Sequence, residues 1–200
     1  MKNFRRIVEE LENNSRKTEE KLEKNIERFV NMLRKLENFI NRPAATFASY
    51  TAPKSVPVEF KGSLNEEQRA DIRAKITEVS KKYLNRPYVF GGKGPNVFDC
   101  SGYTSFIMRQ LGIIVSPACS YQCTEGKHID LANAKVGDLL FFSAYGRGGV
   151  ITHVGLILDN TAEGITIIHA NNHGVTIENV SKSVYWRSKI LFARDVISAA

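Results

Sequence analysis

The sequence predicts an α+β fold, with helices packed on a central antiparallel sheet and a helical segment at the N-terminus. Helix-type apolar patterns occupy the first part of the chain, whereas short apolar runs typical of strands fill the rest. The turn-rich segment 159–164 separates two of these runs and predicts that they pair antiparallel. Helices followed by antiparallel strands are the α+β pattern, and 200 residues suffice for one such domain with an appendage.

The N-terminal segment carries an apolar repeat with coiled-coil spacing. Its steps alternate between four and three residues, at Leu22, Ile26, Phe29, Leu33, Leu36 and Ile40. Because the repeat is short for an autonomous coiled coil, packing of this helix on the following domain is an equal alternative to self-association or docking through residues 22–40. The predicted organisation is a helical, coiled-coil-like segment at 1–42, a Pro-containing linker at 43–62 and a folded domain at 63–200.

Two helices are predicted ahead of the strands. The first begins at Ser63, with Glu66 three residues on as a capping box, and runs to about Leu84. The second opens at Cys100 and stops at Gly112. A cysteine in the first turn of a helix faces unpaired backbone N–H groups and the positive end of the helix dipole, and both favour the thiolate. Cys100 is therefore a candidate nucleophile.

Two histidines lie where they could serve that thiol. The strand-like runs are 138–143, 153–158, 165–170, 174–178 and 190–196. A nucleophilic thiol needs a base and a group that orients the base. His153 opens one run and His169 closes the next, so antiparallel pairing would let both face the Cys100 helix. The alternative is that the cysteine is apolar packing and the histidines are satisfied core residues.

The motifs around these residues resemble those of the NlpC/P60 cysteine peptidases. Four ordered motifs within residues 64–197 carry the resemblance: Tyr88-x-Phe90-Gly91-Gly92-x-x-Pro95-x-x-Phe98-Asp99-Cys100-Ser101-Gly102, Val136-Gly137-Asp138-Leu139-Leu140-Phe141-Phe142, His153-Val154-Gly155 and Ile168-His169-Ala170. The resemblance implies a papain-like fold and hydrolysis of stem peptides in bacterial peptidoglycan. The bond implied is typically the one between γ-D-glutamate and a diamino acid.

The resemblance also implies catalytic roles. Cys100 matches the nucleophile, His153 the general base and His169 the third polar residue, which orients the imidazole. Tyr88 matches a tyrosine whose hydroxyl lies beside the active site and helps to stabilise the oxyanion, together with a helix-start N–H.

Substrate-contacting positions are implied in the same way at Asp99, Ser101 and Ser120. The family often has an arginine two residues before Ser120, where this chain has Ala118. A missing guanidinium weakens recognition of a substrate carboxylate. Arg147 in the loop 145–150 is a candidate replacement, and a solvated loop arginine is the alternative.

The remaining cysteines and histidines do not predict a metal site. Cys119, Cys123 and His128 approach zinc-ligand spacing, but there is one cysteine pair and no second histidine close by. A Cys119–Cys123 disulfide is not expected in a helix, because the side chains point poorly for it. His128 and His173 are expected at the surface. No phosphate loop or dinucleotide fingerprint occurs, and no cofactor is expected.

The charge balance is basic, with 28 Lys and Arg against 21 Asp and Glu and a net charge of +7. Such a surface favours polyanions. The charge is dispersed and lacks an aromatic-interleaved stripe, so nucleic acid is the weaker option and wall polymers the better one. A peptidoglycan stem peptide or muropeptide is the expected substrate.

The N-terminal 20 residues are highly charged, and neither a Sec signal nor a membrane span is predicted. We expect action on the cell wall after non-Sec export, as part of a particle such as a phage lysin or tail component, or as an antibacterial effector. Cytoplasmic action on wall turnover products is the other expectation. An amidase or acyltransferase on the same thiol and a non-catalytic wall-binding module are the alternative functions.

Overall fold

The structure, a computed structural model, describes residues 64–146 and 149–199 and seven residues of the N-terminal segment. Those seven are helical and exposed: Lys17, Lys21, Glu23, Lys24, Ile26, Glu27 and Val30. The chain divides into two units, Met1–Ala48 and Ser49–Ala200. Most of the coiled-coil repeat, the linker, Ser63 and Arg147 lie outside the described residues. The predicted N-terminal segment, its self-association and the role of Arg147 therefore stay predictions.

Six strands in the described part of the second unit form one sheet in the order β1-β6-β2-β3-β4-β5. Their bounds are β1 Lys127–Ile129, β2 Leu139–Phe142, β3 His153–Thr161, β4 Gly164–Asn171, β5 Gly174–Asn179 and β6 Ile190–Asp195. Every neighbouring pair is antiparallel. The helices before this sheet are α1 Glu66–Lys81, α2 Cys100–Gln110 and α3 Cys119–Gln122, and α4 Val184–Arg187 precedes β6. The predicted α+β class is confirmed.

The sequence located α1 but misplaced its ends. Asn65 is the N-cap, and it exchanges hydrogen bonds with Gln68 in a capping box, so the predicted Ser63 box is wrong. The helix ends at Lys81, three residues before the predicted end at Leu84. Asn85 then takes a left-handed φ of 64°, a conformation that cannot continue a helix.

The strands fall close to the predicted runs, with two differences. β3 and β4 extend into the segment predicted as a turn and leave only Ala162 and Glu163 between them. β1 was not predicted, because three residues without an alternating pattern give no strand signal. None of the helices in the described residues is long and apolar enough to cross a membrane.

Helix α2 packs across β3 and β4 and is buried along most of its length. Ile107 and Met108 of α2 join Leu156 and Ile168 of the two strands in one apolar core. On its other side, the Tyr103 hydroxyl donates to the Ser80 carbonyl of α1 at 2.9 Å. This packing sets the start of α2 against the end of the sheet where β3 begins.

Arg73 joins α1 to the sheet where β2 begins and β6 ends. Its guanidinium lies 2.9 Å from Asp138 Oδ1 and 2.8 Å from Asp195 Oδ1, and it donates to the Val136 carbonyl at 2.6 Å. Asp138, predicted as a turn residue, does accept the Lys135 N–H and also pairs with Arg73. Burial raises the pKa of Asp138 to about 6, although Arg73 and the Lys135 N–H oppose the shift.

Candidate active site

Cys100 is the first residue of α2, and the loop before it is fastened by Asp99. Asp99 is the N-cap, and its Oδ1 accepts the Gly102 N–H at 2.6 Å. Its Oδ2 accepts the Gly91 N–H at 3.0 Å and lies 2.8 Å from Lys93 Nζ. Cys100 therefore lies in the first turn of α2, as the sequence predicts, and the Gly102 N–H of that turn is bound by Asp99.

Gly102 makes this turn possible through close approach rather than through a special φ. A Cβ at Gly102 would overlap the carbonyl oxygen of Gly92 in the preceding loop. The Gly92 carbonyl also accepts the Asp99 N–H at 2.8 Å. The loop and the first turn of α2 consequently form one compact support for the thiol.

The antiparallel pair β3 and β4 delivers both histidines. His153 is the first residue of β3, and its Nε2 lies 2.8 Å from Nδ1 of His169 on β4. His169 is fully buried, and burial followed by the nearby His153 lowers its pKa to about 3. The ring is therefore neutral at ordinary pH. Its Nδ1 is hydrogen-bonded to Nε2 of His153, and this bond holds the His153 imidazole in one orientation.

Cys100 receives hydrogen bonds from two side chains, His153 and Cys119. The bond with Cys119 is the largest influence on the pKa of Cys100, and the bond and charge of His153 act in the same direction. Together they outweigh burial and lower the pKa to about 4. Cys100 is thus a thiolate near neutral pH, beside an imidazole whose far nitrogen is already engaged.

Trp186 of α4 covers both imidazoles. Its ring stacks on His153 with centroids 4.8 Å apart and meets His169 edge-on at 5.2 Å. Its Nε1–H donates to Glu178 Oε2 at 2.8 Å, and the same oxygen lies 3.5 Å from His169 Nε2. Trp186 and Glu178 therefore enclose the histidine pair from two sides.

Tyr88 stands at the edge of the site. Its side chain is half-buried, and burial, then the negative charges of Cys100 and Asp99, raise the pKa of its hydroxyl. A phenol with a raised pKa keeps its proton at neutral pH and remains a hydrogen-bond donor.

The three predicted substrate-contacting residues have different surroundings. Asp99 is buried, and both carboxylate oxygens accept bonds from the protein. Ser101 is buried, and its hydroxyl donates to the Pro117 carbonyl at 2.9 Å. Ser120 is exposed, and its carbonyl accepts the Cys123 thiol. Contacts of these residues with substrate stay predictions.

A cavity of about 580 Å³ opens beside His153 and Tyr88. Its walls carry aromatic rings, amides and both signs of charge, on Tyr88, Phe142, Ala144, Thr152, His153, Asn171, Asn172, His173, Glu178, Tyr185, Trp186 and Lys189. Such a mixed lining suits a polar, charged peptide better than an apolar ligand.

Residues 85–195, more than half of the chain, match the model of the NlpC/P60 family. The chain belongs to this family. Its sequence is 33% identical over 145 residues to the probable endopeptidase p60 of Listeria grayi, covering 72% of this chain and 27% of that protein. It is 34% identical over 117 residues to the gamma-DL-glutamyl hydrolase of Bacillus subtilis (strain 168), covering 58% and 27%.

The fold is also that of solved NlpC/P60 proteins. A crystal structure of an NlpC/P60 family protein from Bacillus cereus ATCC 10987 matches with a TM-score of 0.57 at 25% identity, over 62% of this chain and 40% of that one. The family and fold predicted from the four motifs are confirmed. The chain spans about a quarter of the length of the two curated relatives.

Four residues that contact Cys100, His153 or His169 were not predicted to take part in this NlpC/P60 site: Cys119, Asn171, Glu178 and Trp186. Trp186 had one available signal, as the only tryptophan of the chain. Cys119 was considered only as a metal ligand or disulfide partner, whereas all three cysteines are free and Cys119 contacts Cys100. His128 and His173 are exposed, as predicted. The described residues contain no group of three side chains arranged to hold a metal ion.

Proposed function

We propose that this chain is a cysteine endopeptidase that hydrolyses the stem peptides of peptidoglycan. The observation that carries the proposal is the hydrogen-bonded series Cys100, His153 and His169, which starts at a helix N-terminus and ends in a buried neutral imidazole. The names of two relatives, "probable endopeptidase p60" and "gamma-DL-glutamyl hydrolase", support the same chemistry.

In the first step, the Cys100 thiolate attacks the carbonyl carbon of the amide, and negative charge moves to the carbonyl oxygen. The N–H groups at the start of α2 and the protonated Tyr88 hydroxyl are the donors suited to that oxygen. Since these donors are held by folded backbone and by packing, they need little reorganisation as the charge develops.

In the second step, His153 gives the proton that it took from the Cys100 thiol to the departing amine, and the C–N bond breaks. His169 holds the imidazole through Nε2, so that the opposite nitrogen stays directed at the sulfur and the leaving group. Water, deprotonated by His153, then attacks the thioester, which releases the acid and restores the Cys100 thiolate.

The bond that we propose is the one between γ-D-glutamate and the diamino acid. The cavity presents a carboxylate at Glu178 and an ammonium at Lys189, which suit a peptide carrying both amino and carboxyl groups. We further propose that the protein acts as part of a particle or as an effector, a setting supported only by the predicted coiled-coil-like segment.

Digestion of defined muropeptides tests this function. Muropeptides with meso-diaminopimelate or lysine are incubated with wild type, Cys100→Ala and, as a matched cysteine control, Cys123→Ser. We expect mass spectrometry to find a new amine on the diamino acid with wild type and Cys123→Ser. The rate with Cys100→Ala should fall by more than about 10³-fold.

Three outcomes would contradict the proposal. Equal amounts of product from wild type and Cys100→Ala would show that Cys100 is not the nucleophile. An acyl group found on an amine acceptor instead of water would indicate an acyltransferase. Wall binding without hydrolysis, together with no alkylation of Cys100 by iodoacetamide near neutral pH, would indicate a binding module.

A further inference from the structure

A second thiol faces the candidate nucleophile. Cys119 is the first residue of α3, it is partly exposed, and its side chain is hydrogen-bonded to that of Cys100. The two cysteines come from different helices and are 19 positions apart in the chain. The pair is therefore a product of the tertiary fold and is not a local helical spacing.

The segment that carries Cys119 is fastened directly to α2. Gln122 Nε2 donates to the Ser101 carbonyl at 3.0 Å, and Gln122 Oε1 accepts the Thr104 hydroxyl at 2.9 Å. Ser101 in turn donates to the Pro117 carbonyl. These bonds hold the two sulfurs at the same end of α2, and Gln122 and Thr104 are fully buried.

The two thiols are chemically unequal. The Cys119 hydrogen bond favours the Cys100 thiolate, whereas the hydrogen bond to Cys100, burial and the Cys100 charge all raise the pKa of Cys119. Hydroperoxides oxidise thiolates, so Cys100 reacts first. Once its negative charge is consumed, Cys119 loses the neighbour that keeps it protonated and becomes the stronger nucleophile of the pair.

We propose that Cys119 is a resolving thiol, which closes a reversible disulfide with Cys100 after a hydroperoxide has oxidised Cys100 to the sulfenic acid. The closed disulfide removes the nucleophile of the proposed peptidase and protects it from irreversible oxidation. The disulfide itself depends on the geometry alone, whereas its effect on hydrolysis rests on the proposed function.

The reaction balances in two steps. The Cys100 thiolate attacks one oxygen of hydrogen peroxide, the O–O bond breaks, and the sulfur is oxidised by two electrons to the sulfenic acid. The other peroxide oxygen leaves as hydroxide and takes a proton from solvent to become water. Cys119 sulfur then attacks the sulfenic sulfur, the S–S bond forms and the S–O bond breaks. The hydroxide takes the Cys119 proton and leaves as a second water.

Reduction reverses this order. A thiol reductant attacks the Cys119 sulfur and expels Cys100, because the thiol with the lower pKa is the better leaving group. A second reductant thiol then releases Cys119. Cys123 is less suited to the resolving role, since it is buried and its thiol donates to the Ser120 carbonyl at 3.1 Å.

The test follows the bond and the activity separately. Wild type, Cys119→Ser, Cys119→Ala and Cys123→Ser are treated with hydrogen peroxide, alkylated and digested for mass spectrometry. In wild type and Cys123→Ser we expect an intact mass lower by two hydrogens and a peptide pair joined through Cys100 and Cys119. Dithiothreitol should remove the link and restore the original thiols.

Both Cys119 variants should instead gain oxygen at Cys100, as sulfinic or sulfonic acid that dithiothreitol does not reverse. Folding of each variant is checked by circular dichroism. The disulfide expected in wild type is tested directly, so it does not depend on whether any variant folds. Irreversible oxygen addition at Cys100 in wild type, or a link through Cys123, would overturn the proposal. If a Cys100–Cys119 link forms but the untreated protein does not cleave muropeptides, the disulfide proposal is supported and the proposed peptidase function is contradicted.

Discussion

At Cys100, hydrogen bonding lowers the pKa and burial raises it, and the effect of hydrogen bonding is the larger. Burial alone raises the pKa of a thiol, because it removes water from the charged form. Here Cys119 and His153 both bond to the sulfur, and the pKa falls to about 4. The reactivity of this residue is therefore set by two side chains that lie far from it in sequence.

Removal of the Cys119 thiol should shift the pH range in which Cys100 reacts. A thiolate is lost as pH falls through its pKa, and Cys119 is the largest cause that lowers this pKa. The rate at which iodoacetamide alkylates Cys100 falls as the pH drops below the pKa of this thiol. In Cys119→Ala, this fall should therefore move from near pH 4 to higher pH. Mass spectrometry of the Cys100 peptide at each pH measures it. Cys119→Ser retains a hydrogen-bond donor and should shift the pH profile less. Identical pH profiles for wild type and Cys119→Ala would show that Cys119 does not lower the pKa of Cys100.

The indole of Trp186 should matter more as a ring than as a hydrogen-bond donor. It stacks on His153 and also donates to Glu178. An aromatic contact of this kind is worth about 0.5–1.5 kcal/mol, or up to about tenfold in rate. We expect Trp186→Leu to lose about tenfold in kcat and Trp186→Phe to lose less.

Steady-state hydrolysis of a muropeptide measures this loss, and Val184→Ala, an exposed change on the same helix, is the control. Equal losses in Trp186→Leu and Trp186→Phe would instead assign the effect to the bond with Glu178.

At the scale of elements, the site is a meeting of one helix start with one strand pair. α2 supplies the thiol at its first residue, and β3 and β4 supply one imidazole each. Two contacts that support this arrangement, one between α2 and the preceding loop and one between β3 and β4, are close because one partner is a glycine. Gly102 faces the Gly92 carbonyl, and a Cβ at Gly155 would overlap the Ile167 side chain.

Gly102→Ala should push α2 away from the loop that supports it. The added methyl would overlap backbone, which cannot move aside as a flexible side chain could. We expect a loss of about 1–3 kcal/mol in the free energy of unfolding, measured in urea. Gln110→Ala, an exposed change at the other end of α2, should alter it by less than about 0.5 kcal/mol. An unchanged midpoint in Gly102→Ala would show that the loop accommodates the methyl.

For the whole molecule, Arg73 joins the first helix to the last strand across the core. It pairs with Asp138 and Asp195, two buried carboxylates that lie at adjoining ends of the neighbouring strands β2 and β6. Such a cluster adds little net stability compared with apolar packing, but loss of one partner leaves the others charged and unpaired.

Arg73→Met should therefore cost about 3–5 kcal/mol in the free energy of unfolding near neutral pH. Without Arg73 the pKa of Asp138, already raised to about 6, should rise further, and protonation should relieve the repulsion as pH falls. The loss should thus be larger at about pH 8 than at about pH 5. Denaturant unfolding at the two pH values checks it, and Lys75→Met, on the exposed face of the same helix, is the control.

The sequence by itself determined the family, the strand runs and the positions of Cys100, His153 and His169, because these signals are contiguous in the chain. A helix-start cysteine, short apolar runs and four ordered motifs need no knowledge of the fold. Only the tertiary structure decided that Cys119 touches Cys100, that Trp186 covers the histidines and that Arg73 pairs with Asp138. Each of these contacts joins residues distant in sequence, and helices of a single turn leave no periodic trace.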